Sequence, residues 1–170
     1  MTTATQIEEV WALLDQLTDP EIPVISLREL GILREIRDTD TGLEVVITPT
    51  YSGCPAMEQI EADVRNLLHS QGIPAKVTTQ LSPAWTTDWM TDAGKEKLRQ
   101  YGIAPPSHKV SEEAIVKFMP RTSENTPEVV PCPQCGSHHT IESAHFGSTA
   151  CKALYRCLDC RETFDYFKPY

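Results

Sequence analysis

Two Cys-x-x-Cys pairs, Cys132-Pro-Gln-Cys135 and Cys157-Leu-Asp-Cys160, restrict what this chain can fold into more than any other feature. They are separated by 21 residues, within a residue or so of the spacing of a zinc ribbon. A Cys-x-x-Cys turn aims two thiolates at one point, and two such turns complete a tetrahedral all-thiolate site. Gly136, directly after the first pair, lets its turn adopt a positive φ. The 39 residues from Cys132 to Tyr170 are too few to bury a sufficient core unaided. Metal binding would supply the missing stability, on the order of 10–16 kcal/mol in zinc peptides. Two disulfides in a secreted protein are the competing explanation.

Composition argues against that competitor. The opening MTTATQIEEVW has no charged-then-apolar targeting pattern, and no apolar run is long enough to cross a membrane. Six cysteines without an export signal point to a reducing cytoplasm, where thiols serve metals or chemistry. The formal charge of −9 is unevenly spread. From Cys132 onward four basic residues balance four acidic ones, which leaves 11 basic against 20 acidic before it. That balance disfavours nucleic-acid binding, which needs a positive surface; a protein or metal partner fits better.

Thr5-x-x-Glu8 reads as a capping box. Ile7, Val10, Trp11, Leu14 and Leu17 follow at helical spacing, and Asp19-Pro20-Glu21 stops the helix. Ser26-x-x-Glu29 caps a short helical turn ended by Gly31. Strands are expected at 32–37 and 43–48, joined by a hairpin loop over 38–42. The loop from Pro49 to Cys54 leads to a helix opened by Pro55, with Met57, Ile60, Val64, Leu67 and Leu68 on its buried face, ended by Gly72. A third strand is expected at 75–81, and a final helix at 91–101 follows a Trp-rich loop. The order is α-β-β-α-β-α, an α+β domain over residues 1–102. Residues 103–130, carrying four prolines with Pro131 directly after them, read as a linker with one short ordered piece at Ile115 to Met119. The ribbon occupies 131–170.

Cys54 is the residue of most chemical interest in the first domain. It sits where a helix begins, and a helix N-terminus lowers a thiol's pKa and favours a nucleophile or metal ligand. A small buried hydrophobe is the equal alternative. Asp19 and Glu21 flank Pro20; alone, such carboxylates cap or are solvated. Beside Cys54 they would oppose thiolate formation unless a cation joined them, and iron or a cluster draws in thiolate and carboxylate together.

The segments Asp19-Pro-Glu-Ile-Pro-Val-Ile-Ser-Leu-Arg-Glu-Leu-Gly31 and Thr48-Pro-Thr-Tyr-Ser-Gly-Cys-Pro-Ala56 resemble the SufT-like family of iron–sulfur assembly domains. Phe146-Gly-Ser-Thr-Ala-Cys-Lys-Ala-Leu-Tyr-Arg-Cys157, with Cys160 and Phe164-Asp-Tyr-Phe167, resembles the PaaD family, the D subunits of bacterial phenylacetyl-CoA epoxidase. The resemblance implies an accessory or maturation factor of aerobic phenylacetate degradation, partnered by a di-iron oxygenase and an iron–sulfur flavin reductase. It makes Cys54 the reactive cysteine, with Asp19 and Glu21 its acidic loop, and Cys132, Cys135, Cys157 and Cys160 the ligands of one zinc ion. A transient iron or iron–sulfur cluster at Cys54 is the implied cargo. The chain lacks the Glu-x-x-His pairs of a di-iron bundle and a Gly-rich dinucleotide motif, which disfavours its being the oxygenase or the reductase.

Several residues keep alternatives open. Cys151 lies outside the knuckle spacing and is expected to be buried or partner-facing; a role in cluster handling, or in a redox pair with Cys54, is the sharper possibility. His138, His139 and His145 could ligate metal, but four cysteines already fill a tetrahedral site. Iron could replace zinc in such knuckles, as in rubredoxin. Trp85, Trp89 and Met90 form either core packing or a docking patch. The expected function is cytoplasmic assistance in iron or cluster delivery to the epoxidase. A purely structural subunit and a nucleic-acid-binding ribbon are the rivals, and an uncovered edge strand makes a homodimer plausible.

Overall fold

The structure, a computed structural model, describes residues 4–40, 42–107 and 129–170. The chain divides into two compact units, Met1–Tyr101 with Tyr170, and Gly102–Pro169.

The first unit is α+β, in the expected order. Helix α1 spans Ala4–Leu14, and the buried Val10 and Leu14 anchor its apolar stripe. The side chain of Thr5, the expected cap, lies outside the described residues. The helix stops well before Asp19-Pro20. The amides of Gln16 and Leu17 reach back three residues to Leu13 and Leu14, and the Leu17 carbonyl is taken by the Leu27 amide at 3.0 Å. The following segment thus folds back on itself, and those tertiary bonds end the helix before proline can. Ser26 and Glu29 form the expected capping box on a turn: the Ser26 amide donates to Glu29 Oε2 (2.9 Å) and the Glu29 amide to Ser26 Oγ (3.1 Å).

Strands β1 (Leu33–Thr39) and β2 (Gly42–Ile47) pair antiparallel, with a bulge between Leu33 and Glu35. Helix α2 (Ala56–Ser70) buries Ala56, Ile60, Val64 and Leu68, one face repeating every four residues. It provides the crossover that lets β3 (Ala75–Thr79) pair parallel with β2. The sheet order is β1-β2-β3. Val45, Val46 and Ile47 are all buried, so the end of the central strand is covered on both faces. A 3₁₀ turn, Thr87–Trp89, precedes helix α3, Asp92–Tyr101. Thr91 caps α3 by accepting the Gly94 amide at 3.0 Å. The Trp-rich loop packs largely inward: Trp85 and Met90 are buried, Trp85 donates to the Leu30 carbonyl at 3.1 Å, and the Arg34 guanidinium covers the Trp89 ring at 3.4 Å.

The second unit is a four-stranded sheet of order β4-β7-β6-β5. Strands β5 (Thr140–Ala144), β6 (Lys152–Cys157) and β7 (Thr163–Phe167) form an antiparallel meander. Strand β4 (Ile103–Ala104) adds parallel to β7, within the stretch whose composition suggests linker. The ordered piece expected at Ile115 to Met119 lies outside the described residues. Ala104, Val130, Ala153, Tyr155, Phe164 and Tyr166 share one core with the metal-site residues Cys132 and Cys157. Lys152 is also buried, its charge met by Asp165 at 3.1 Å.

Candidate functional sites

The ribbon brings the four expected cysteines together. Each knuckle is closed by its own backbone: Gly136 donates to the Cys132 carbonyl at 2.9 Å and Cys132 to the Ser137 carbonyl at 2.8 Å, while Cys157 donates to the Glu162 carbonyl at 2.9 Å. The sulfurs of Cys132, Cys135, Cys157 and Cys160 all lie within 4.8 Å of one another. Cys132 Sγ is 3.8 Å from Cys160 Sγ, and Cys135 Sγ is 3.6 Å from Cys157 Sγ. Those distances are far too long for disulfides. They match the edge of a tetrahedron with metal–sulfur bonds of about 2.3 Å, which is about 3.8 Å. The donor set therefore fits a tetrahedral metal ion.

Cys157 and Cys160 are pushed in opposite directions. The amides of Cys160 and Asp159 draw the Cys157 thiol down to about 6, with Cys160 and Cys135 sulfurs assisting. The Glu162 amide favours the Cys160 thiolate, but burial and the other three sulfurs push that thiol up to about 12. A cation at the centre resolves the conflict by stabilising all four thiolates together.

Asp159, inside the second knuckle, accepts from Ser137 Oγ and sits 3.3 Å from His139 Nδ1. It thereby ties the two knuckles to each other. Sequence reasoning missed this contact; an acidic residue within a Cys-x-x-Cys turn is its one local signal. His139 is engaged with Asp159 and His145 with Glu142 at 3.2 Å, and among the described residues no histidine joins the four-sulfur cluster. Cys151 is buried, with its sulfur 3.1 Å from Thr149 Oγ1, and it too stands outside the cluster.

In the first unit, Cys54 is half-buried at the foot of α2. Its amide donates to the Tyr51 carbonyl at 3.3 Å, and its carbonyl accepts from the Met57 amide at 3.2 Å. A helix start is expected to lower its pKa, but the thiol is pushed up. Burial is the main cause; the Ala56 amide and the Tyr51 side chain pull the other way, and the charges of Glu21 and Asp19 add to the rise. One helix terminus does not offset desolvation plus two nearby carboxylates. The charges of Asp19 and Glu21 thus reach Cys54, but among the described residues the three do not converge as the four ribbon cysteines do. Asp19 is buried, and its Oδ1 accepts the amides of Glu21 (2.9 Å) and Ile22 (2.8 Å). It therefore shapes its loop as well as lending charge. Tyr51 is a participant that sequence reasoning missed, although it lies within the segment that carries the family resemblance.

Residues 118–168 match the family model described as PaaD zinc beta ribbon domain, and residues 7–79 match that described as Iron-sulfur cluster assembly protein. The chain is 48% identical over 164 residues to an Escherichia coli protein named as the D subunit of a "Putative 1,2-phenylacetyl-CoA epoxidase", covering 96% of this chain and 93% of the other. It is 32% identical over 94 residues to an Fe-S protein maturation auxiliary factor of Porphyromonas gingivalis, covering 54% of this chain and 89% of that protein. A crystal structure of a domain of unknown function, DUF59, from Bacillus anthracis matches with a TM-score of 0.50 at 24% identity. The match covers 54% of this chain and 90% of that one, and it supports the fold of the first unit. Among the described residues no helix is long and apolar enough to cross a membrane.

Proposed function

The chain belongs to the PaaD family of phenylacetyl-CoA epoxidase D subunits, and on that footing we propose that it is an accessory subunit that hands iron or an iron–sulfur cluster to the oxygenase or reductase of the complex. The observation that carries this reading is the Cys54 neighbourhood. A thiol held protonated by burial and by two carboxylates is a poor free nucleophile. A cation bound at Cys54 would reverse the sign of those electrostatic contributions, turning the charges of Asp19 and Glu21 from a penalty into support. Iron accepts both thiolate and carboxylate. Asp19 and Glu21 thus act as the charge partners of a transient ligand, Cys54, and the cargo is the substrate of the protein rather than a resident cofactor.

The ribbon serves a different purpose in this reading. Its four cysteines hold a structural zinc ion, which fixes the two knuckles and lets a small sheet stand as a docking platform for epoxidase components. The protein works in the cytoplasm.

A structural subunit without metal transfer is favoured by one specific observation: Asp19 already bonds two backbone amides with a single oxygen. The two readings separate in one experiment. Wild type and Cys54→Ser are purified without oxygen and compared by metal analysis and visible absorption. Transfer predicts one zinc in both, with iron and a charge-transfer band only in wild type. One zinc, no iron and identical spectra would leave the structural role.

A further inference from the structure

Phe146 is the most exposed large apolar side chain among the described residues, at 67%, yet its ring is held in place. It lies in the loop between β6 and β5, an edge strand of the ribbon sheet. The His145 ring meets it edge-on at 4.9 Å between centroids. The Lys168 ammonium, just beyond β7, sits 4.3 Å from the centre of the Phe146 ring. Lys168 is itself fixed twice: Nζ donates to the His145 carbonyl at 3.1 Å, and the amide donates to the Cys151 carbonyl at 3.0 Å. The loop backbone is pinned too, because the Gly147 amide donates to the Lys152 carbonyl at 2.8 Å.

The carboxylates that meet this loop are already engaged. Glu142 faces His145 at 3.2 Å and accepts from the Tyr155 hydroxyl at 3.2 Å. Asp165 faces the buried Lys152 at 3.1 Å and accepts from Ser148 Oγ at 3.5 Å. Lys168 has no carboxylate partner among the described residues; its ammonium meets only a ring and a carbonyl. The loop thus presents a fixed aromatic ring beside a cation without a counter-charge, in a chain of net charge −9.

We infer that Phe146 is the anchor of the ribbon's docking surface. It enters an apolar pocket on another subunit of the epoxidase, and a carboxylate on the rim of that pocket pairs with Lys168. Buried aromatic anchors carry most of the energy of a typical protein interface. A ring already held by two neighbours loses little freedom on docking, so more of its burial appears as affinity. The unpaired ammonium adds charge complementarity, which selects a pocket with an acidic rim over a neutral one. The inference rests on the ribbon being the docking platform and needs no iron.

The test titrates the full, zinc-loaded chain against the purified oxygenase and reductase components by biolayer interferometry. Phe146→Ala should weaken binding to one of them about 30-fold, the size of a hot-spot truncation. Lys168→Gln should weaken it about fivefold and flatten its salt dependence. Zinc content should match wild type in both variants, since both side chains lie outside the four-sulfur cluster. Binding within threefold of wild type for Phe146→Ala overturns the anchor and leaves the docking platform standing. Wild type that binds neither component overturns both. Self-association of wild type that Phe146→Ala abolishes, with component binding unchanged, assigns the ring to a second copy and also overturns the inference. If Phe146→Ala loses binding but wild-type protein holds no iron, the anchor stands and the delivery reading falls.

Discussion

Gly136 and Arg161 hold the same place in the two knuckles, each one residue past the second cysteine, and both adopt left-handed backbone, at φ 74° and 65°. The turn demands this conformation, and only one knuckle has the residue that adopts it freely. A Cβ at Gly136 would meet nothing within 4 Å, so Gly136→Ala isolates the backbone cost, about 1 kcal/mol. It should weaken zinc binding about fivefold in a competition assay with a chromogenic chelator. Arg161→Gly should come within about 0.5 kcal/mol of wild type, since relief of strain is offset by the greater freedom of glycine in the unfolded chain. Equal losses from both changes would show that the two turns are not equivalent.

Gly31 presents a harsher case. Its φ is 81°, and a Cβ there would lie 2.8 Å from both the Cβ and the carbonyl oxygen of Trp89. Strain and overlap add, so Gly31→Ala should cost about 3 kcal/mol. All three tryptophans, Trp11, Trp85 and Trp89, belong to the first unit. Urea unfolding followed by tryptophan fluorescence therefore reads this loss directly, as a lower midpoint with an unchanged slope.

Glu29 gives the first unit a pH dependence. Burial opposes its charge, but the Lys97 ammonium at 2.7 Å and the bonds from Ser26 outweigh it, and its pKa is lowered. A lowered carboxyl pKa contributes stability that is present above the ordinary value near 4.5 and lost as pH falls through the folded value. Glu29→Gln keeps a capping-box acceptor and removes the charge that meets Lys97, so it should cost about 0.5 kcal/mol near neutral pH, the size of one ion pair near the surface. The difference from wild type should shrink as pH falls below the ordinary carboxyl value and vanish once pH lies well below the folded one. A gap that persists in acid would assign the effect to shape rather than charge.

Removing the metal should unfold one unit and spare the other. The second unit's core contains two of the ligands, Cys132 and Cys157, so its packing and its metal site are one structure. A strong chelator, or Cys157→Ser, should abolish the β signal of the ribbon in circular dichroism while tryptophan emission stays as it was. Cys151→Ala should leave metal content unchanged, because that sulfur stands apart from the cluster. Asp159→Ala should retain the fold but release zinc about tenfold faster, since the tie between the knuckles is gone.

By itself, the sequence determined what depends on local spacing. Each Cys-x-x-Cys turn specified two sulfurs aimed at one point, the four-residue rhythm from Ala56 to Leu68 specified α2, and Ser26-x-x-Glu29 specified its own capping box, because each pattern is satisfied within a few residues of backbone geometry. Only the tertiary structure decided the rest. It ended α1 at Leu14 because Leu27 reaches back to bond Leu17. It drew Ile103 and Ala104 into a sheet because β7 has an open edge for them. It brought the charges of Asp19 and Glu21 to bear on Cys54 and so raised a thiol that its place at a helix start alone would lower. Desolvation and charge–charge interaction depend on distances between residues more than thirty positions apart, and no local pattern carries those distances.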